Sequence, residues 1–107
     1  MNLSNIVQRG WEAVGSGNFD SLIQDYTDDM VFIMPGQDDL LKGRDSFRTA
    51  LDGLDTIFPP GFQITQLRNI EGAGEVVSIV EWASTKIPGS QLVVLFKFTG
   101  DKIHEER

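Results

Sequence analysis

The residues of this chain best suited to moving a proton stand in one strand-like run, Ile103-His104-Glu105-Glu106-Arg107. His104 is the one histidine among 107 residues, so imidazole chemistry has a single possible site. In a strand with Ile103 facing inward, Glu105 and Arg107 share that face and point toward a pocket mouth, while His104 and Glu106 share the other. A one-residue bulge would exchange Glu105 for His104 and Glu106. A further acid, Glu81, follows small and apolar residues and precedes Trp82. A carboxyl held in an apolar wall has its charged form disfavoured, so its pKa rises and it can act as acid or base. Glu105, His104 and Glu81 are therefore the catalytic candidates. The plainer alternative for Glu105 and Arg107 is an ion pair at a sheet edge. One histidine and scattered acids match no metal-ligand spacing, so no metal and no cofactor is expected.

Around such groups a ligand needs apolar walls. Trp11 and Trp82 each bring a large apolar body and one N–H donor. Phe32, Met34, Phe47, Phe58 and Phe96 are further wall candidates, and each would serve equally as plain core. Tyr26 joins them, with half-buried packing and a bond to a backbone group as its simpler role. Arg44 and Arg68 could grip a ligand carboxylate bidentately, although Arg44 more simply supports a helix start or a surface pair.

The elements that must position these residues follow from periodicity. Ile6, Val7, Gly10, Trp11 and Val14 fall at helical spacing, with Asn2 or Ser4 as cap and Gly15 and Gly17 as stop. A second helix starts after Asn18 and places Leu22, Ile23 and Tyr26 on one face, ending at a solvated acidic corner, Asp28-Asp29. Val31 to Met34 reads as a short strand closed by Pro35-Gly36, with Asp38-Asp39 in a loop. Asp45 to Leu54 reads as a third helix, with Phe47, Leu51 and Leu54 on one side. Pro59-Pro60-Gly61 then ends helical structure. Strands are predicted over 62–70, 75–87, 91–99 and 102–107, joined by Gly72-Ala73-Gly74, Pro88-Gly89-Ser90 and Gly100-Asp101. Helices first and an antiparallel meander afterwards make a single α+β domain over 1–107.

This order, with Tyr26-Thr27-Asp28-Asp29-Met30-Val31-Phe32-Ile33-Met34-Pro35-Gly36 at its centre and Leu41-Lys42-Gly43-Arg44-Asp45 leading into the third helix, resembles the NTF2-like superfamily, in particular its SnoaL-like and ketosteroid-isomerase-like members. The resemblance implies a cone of three N-terminal helices on a curved antiparallel sheet, with one apolar pocket. Residues 9 to 35 line up without a gap on the ketosteroid isomerase pattern through Asn18, Gln24, Tyr26, Asp28-Asp29 and Pro35. That family's general base then falls at Met34, its oxyanion-hole tyrosine at Gly10, and its second oxyanion donor near Val94. Methionine, glycine and valine supply neither a base nor a donor, so steroid isomerisation by that route is not expected. Family members also continue the last strand, often to an aromatic residue and an acid, which in a longer chain would follow Arg107.

Composition narrows the partners. Acids outnumber bases 16 to 9, for a net charge of −7, and the bases form no run, which argues against a nucleic-acid partner. The absence of cysteine excludes disulfides, thiolate metal sites and cysteine nucleophiles. No apolar run approaches the ~20 residues of a membrane span, and the first residues show no signal-peptide pattern, so no membrane association and a cytoplasmic location are expected. Leu92, Val94, Phe96 and Phe98 fill one face of their strand, yet Val93 and Leu95 make the other face apolar too. A one-sided sheet alternates apolar with polar, so a homodimer through this outer face is expected. Two functional readings remain open, and the loss of the three family catalytic positions favours the first. One is a pocket that binds a small apolar molecule without turning it over; it predicts no titratable pair in the pocket. The other is a cofactor-free SnoaL-like isomerase, cyclase, dehydratase or epoxide hydrolase; it predicts a pocket acid or histidine with a shifted pKa.

Overall fold

In the computed structural model, residues 2–33, 40–53 and 63–107 are described. Helix α1, Leu3–Ser16, starts where the Asn2 side chain accepts from the Ser4 N–H, and it stops at Gly17. Gly17 has φ 75°, a left-handed conformation that glycine adopts without a side-chain clash, and its N–H closes onto Ala13 and Val14. Ile6, Val7 and Ala13 form the buried side of α1. Helix α2, Phe19–Ile23, is capped by Asn18 and buries Leu22. A side chain at Gly10 would come within 3.2 Å of Leu22 Cδ1, so the missing Cβ lets the two helices approach closely.

Tyr26, which helical spacing places on the second helix, instead opens strand β1, Tyr26–Ile33, and Asp28-Asp29 lies inside that strand rather than at a corner. The strand forms because it has a partner that local sequence does not reveal: it runs parallel to the last strand, pairing Tyr26 with Ile103 and Phe32 with Glu106. An irregularity between Tyr26 and Val31 leaves Asp28 and Asp29 exposed while Tyr26 and Met30 are buried on either side. A short strand β2, Leu40–Lys42, unanticipated in the sequence, pairs antiparallel with β1. Helix α3, Arg44–Leu51, buries Phe47 and Leu51 one turn apart. It ends at Leu51 with Asp52 as its C-cap, short of the predicted end at Leu54, which itself lies outside the described residues.

The four strands expected after residue 60 are present as β3 (Gln63–Gly72), β4 (Glu75–Ala83, which ends short of the expected residue 87), β5 (Ser90–Thr99) and β6 (Lys102–Glu106). With β1 and β2 they form one curved, unclosed six-stranded sheet in the order β2-β1-β6-β5-β4-β3. The fold is α+β, with three helices among the described residues. Alternation sorts the strands cleanly. Val76, Ser78 and Val80 of β4 and Val94, Phe96 and Phe98 of β5 are buried on the helix face. Val77, Ile79, Val93 and Leu95 fall on the outer face, where Val93 is 58% exposed.

Beta6 departs from the simple alternation. Phe98 pairs with Ile103 and Lys97 with Glu105, so two steps on β6 match one step on β5 and His104 is the extra residue. This bulge keeps Ile103 buried, turns Glu105 outward and brings Glu106 onto the helix face. The placement of Glu105 toward a pocket, which unbroken alternation gives, is corrected accordingly.

Candidate functional site

Glu106 lies at the centre of the helix-face arrangement. It is half-buried, beside Phe96 on β5 and Phe32 on β1. The Tyr26 hydroxyl donates a hydrogen bond to its Oε1. Burial pushes the Glu106 carboxyl up from 4.5 to about 7, and the Tyr26 bond, which favours the carboxylate, offsets only part of this. Tyr26 in turn is raised well above its ordinary value, first by burial and then by the Glu106 charge, so it remains a neutral donor.

Aromatic rings surround this pair. Tyr26 lies 4.9 Å from Phe47, and Phe47 stacks on Phe32 at 5.6 Å between centroids. Trp11 of α1 meets Phe96 edge-on at 6.2 Å. Its indole N–H donates to Ser78 Oγ at 3.1 Å, and the Ser78 hydroxyl reaches Asn69 Oδ1 at 2.6 Å. Trp82 falls on the same face of β4, opposite Ile64 of β3. Among the predicted wall residues, Trp11, Tyr26, Phe32, Phe47, Trp82 and Phe96 thus share the helix face; Met34 and Phe58 lie outside the described residues.

The three predicted catalytic residues are elsewhere. Glu105 faces outward, bonded to Arg107 Nε at 2.8 Å and 3.6 Å from Lys97 Nζ. The Arg107 hydrogen bond chiefly holds its carboxyl below the usual range. His104 Nδ1 meets Thr99 Oγ1 at 2.9 Å on that side. Glu81 is exposed on the outer face of β4, between Gln66 and Gln91. Arg44 pairs with Asp28 at 2.7 Å, and Arg68 sits opposite Ile79 on the outer face. Among the described residues, no group of three or more His, Asp or Glu side chains is placed to hold a metal ion, and no helix is long and apolar enough to cross a membrane.

Glu106 and Ser78 lie outside the catalytic and wall candidates, Glu106 standing in the sequence only as the alternative that a bulge would bring in. Glu106 emerges only with the β6 bulge. Ser78 carried a signal that could have been read: it is the polar member of the buried alternation Val76, Ser78, Val80. Of the positions aligned with steroid-isomerase groups, Gly10 backs onto Leu22 and Val94 is an apolar residue of the helix face.

A family model described as a SnoaL-like domain matches residues 7–106. No curated protein matches the sequence. Among solved structures, Bal32a from a soil-derived mobile gene cassette superposes with a TM-score of 0.79 at 19% identity, covering 98% of this chain and 86% of that one. An NTF2-like protein from Anabaena variabilis gives 0.77 at 21% identity, covering 96% and 84%. A candidate polyketide cyclase from Xanthomonas campestris gives 0.74 at 14% identity, covering 97% and 86%. At these identities the likeness is one of fold.

Proposed function

The chain belongs to the SnoaL-like domain family, and we propose that it binds a small, largely apolar molecule on the helix face of its sheet and transfers a proton on it through Glu106. The observation that carries this reading is the Tyr26–Glu106 pair. A carboxyl near pH 7 among Phe32 and Phe96 is a titratable group in an apolar wall, which separates an acid–base site from a passive pocket. Near neutrality both of its protonation states are populated, the condition under which one group can take a proton and return it. Tyr26 is 3% exposed and donates to Oε1. It holds the carboxyl in one orientation and leaves Oε2 for the substrate, so it is a positioning residue. The aromatic neighbours limit water, which keeps the carboxyl basic and would contribute most of the ligand's affinity, at roughly 25 cal/mol per Å² of apolar surface buried. The proton transfer as proposed needs no cofactor.

The same reading seats a second copy of the chain on the outer sheet face. Val93 at 58% and Ile70 at 50% exposure lie there with Val77, Ile79 and Leu95, an apolar strip of the kind that association covers.

The test is hydrogen exchange at carbon. Wild type and Glu106→Gln are incubated in deuterium oxide with 1-tetralone and related bicyclic ketones, and loss of the α-proton signal is followed by NMR. Exchange that is fast with wild type and falls to background in Glu106→Gln is expected. Equal exchange by both proteins across the set would remove Glu106 from the chemistry.

A further inference from the structure

A second polar feature on the helix face has a fixed direction. The Trp11 indole can only donate, so Ser78 Oγ accepts from it. Ser78 is 0% exposed, and its own proton needs an acceptor; Asn69 Oδ1, at 2.6 Å, is the acceptor it meets. A flipped Asn69 amide would turn two donors toward Ser78 and leave the serine proton unpaired. The relay therefore runs from Trp11 through Ser78 to Asn69, and it ends in the Asn69 NH₂ group. That group has no hydrogen-bond partner among the described residues, and Asn69 is only half-buried. A donor with its rotamer locked by a buried serine and an indole is a preorganised receptor for an oxygen.

We infer that Asn69 Nδ2 recognises an acceptor oxygen, a ketone or ester carbonyl, at the end of the ligand remote from Glu106. The inference rests on the reading of the helix face as a binding site and adds the class of molecule it takes. Asn69 lies on β3 and Glu106 on β6, with β4 and β5 between them. Three strand spacings put the two side chains roughly 14 Å apart along the sheet, less the effect of curvature. Trp11 bridges the interval, bonded to Ser78 at one end and edge-on to Phe96, the neighbour of Glu106, at the other. The ligand is thus an elongated apolar body lying along the Trp11 indole, with its acceptor on Asn69 and its reacting carbon at Glu106. At that distance Asn69 does not stabilise charge at the reacting centre; it determines which molecules bind and in which direction.

The experiment uses two probes of one shape. 6-Propionyl-2-(dimethylamino)naphthalene carries a ketone, and 6-propyl-2-(dimethylamino)naphthalene lacks it. Binding of each to the full chain is measured by fluorescence, and the Asn69 side-chain amide is followed by ¹⁵N NMR. The ketone should bind about tenfold more tightly than the hydrocarbon, as one hydrogen bond allows, and should move the Asn69 Nδ2 proton resonances. Asn69→Asp keeps the acceptor that Ser78 needs and removes the donors; it should abolish the preference for the ketone while the hydrocarbon still binds. Asn69→Leu, checked for fold by its amide spectrum, should do the same. Equal binding of the two probes to wild type, a preference that survives in both variants, or no binding of either probe overturns the inference. Because the readout is binding, it stands apart from the role of Glu106: a ketone preference that persists in Glu106→Gln leaves Asn69 in place even where proton exchange fails.

Discussion

The Tyr26 hydroxyl donates to the Glu106 carboxylate across 80 residues of sequence. The two elements that carry them, β1 and β6, run parallel, with Tyr26 beside Ile103 and Phe32 beside Glu106. The bond joins the start of one strand to the end of the other. It also tunes Glu106, because a donor to the ionised form opposes the effect of burial.

Tyr26→Phe removes that donor and leaves the ring contact with Phe47. The Glu106 carboxyl should then titrate at a higher pH than about 7. Any activity that needs the carboxylate should show its rising limb displaced toward alkaline pH, and at neutral pH it should drop. The pH–rate profiles of wild type and Tyr26→Phe provide the measurement, alongside a ¹³C titration of the Glu106 carboxyl. An unmoved limb would mean that the hydroxyl does not act on this carboxyl.

Burial also ties Glu106 to stability. The folded chain keeps this proton up to about pH 7, whereas an unfolded chain releases it near 4.5. The folded state therefore binds more protons between these values, and the group's contribution is retained at acid pH and lost as pH rises through about 7. Glu106→Gln is neutral throughout. It should melt close to wild type at pH 5 and above it at pH 8, by roughly 1–3 kcal/mol after allowance for partial exposure. Thermal melts of both proteins at the two pH values decide it. A gap at pH 8 no larger than at pH 5 would show that folding does not strain this carboxyl.

Local signals carried much of this fold. Asn2 and Gly17 mark both ends of α1, and Gly72-Ala73-Gly74 and Pro88-Gly89-Ser90 separate β3, β4 and β5 in register. What failed was non-local. Leu22, Ile23 and Tyr26 fit a helical face, and only pairing with β6 makes Tyr26 the start of a strand. The bulge at His104 has no glycine to announce it, since it arises from how β6 pairs with Lys97 and Phe98. One extra residue on β6 moves the acid of the helix face from Glu105 to Glu106. The walls were legible because aromatic residues at inward positions tolerate small errors in register, whereas a single carboxyl does not.

Ser78 joins Trp11 on α1 to Asn69 on β3, so it holds α1 to the sheet. Ser78→Ala leaves the Trp11 N–H and the Asn69 carbonyl without a partner inside the fold and should cost about 1–3 kcal/mol. Trp11→Phe removes the donor and part of the ring, and should destabilise by a similar amount. The double variant should cost less than the sum, because each change removes the same bond. Urea unfolding of the four proteins gives the coupling, and additive costs would mean that the hydrogen bond contributes nothing to stability.

On the outer sheet face, Val93 is 58% exposed and Ile70 50%, beside Val77, Ile79 and Leu95. Charged groups flank the strip, with Lys97, Glu105 and Arg107 on one side and Glu81 and Arg68 on the other. Two strips related by a two-fold axis would bury their apolar centres against each other and leave these charges at the rim, as in a self-complementary interface. Sedimentation equilibrium at micromolar concentration should therefore give a dimer mass. Val93→Lys with Leu95→Lys would place two cations per chain in the middle of that contact, where desolvating unpaired charge is costly, and should yield a folded monomer. Neither residue lies on the helix face, so the Glu106 titration should be unchanged in that monomer. A wild-type chain that sediments as a monomer, or a double-lysine variant that stays dimeric, would place the contact elsewhere.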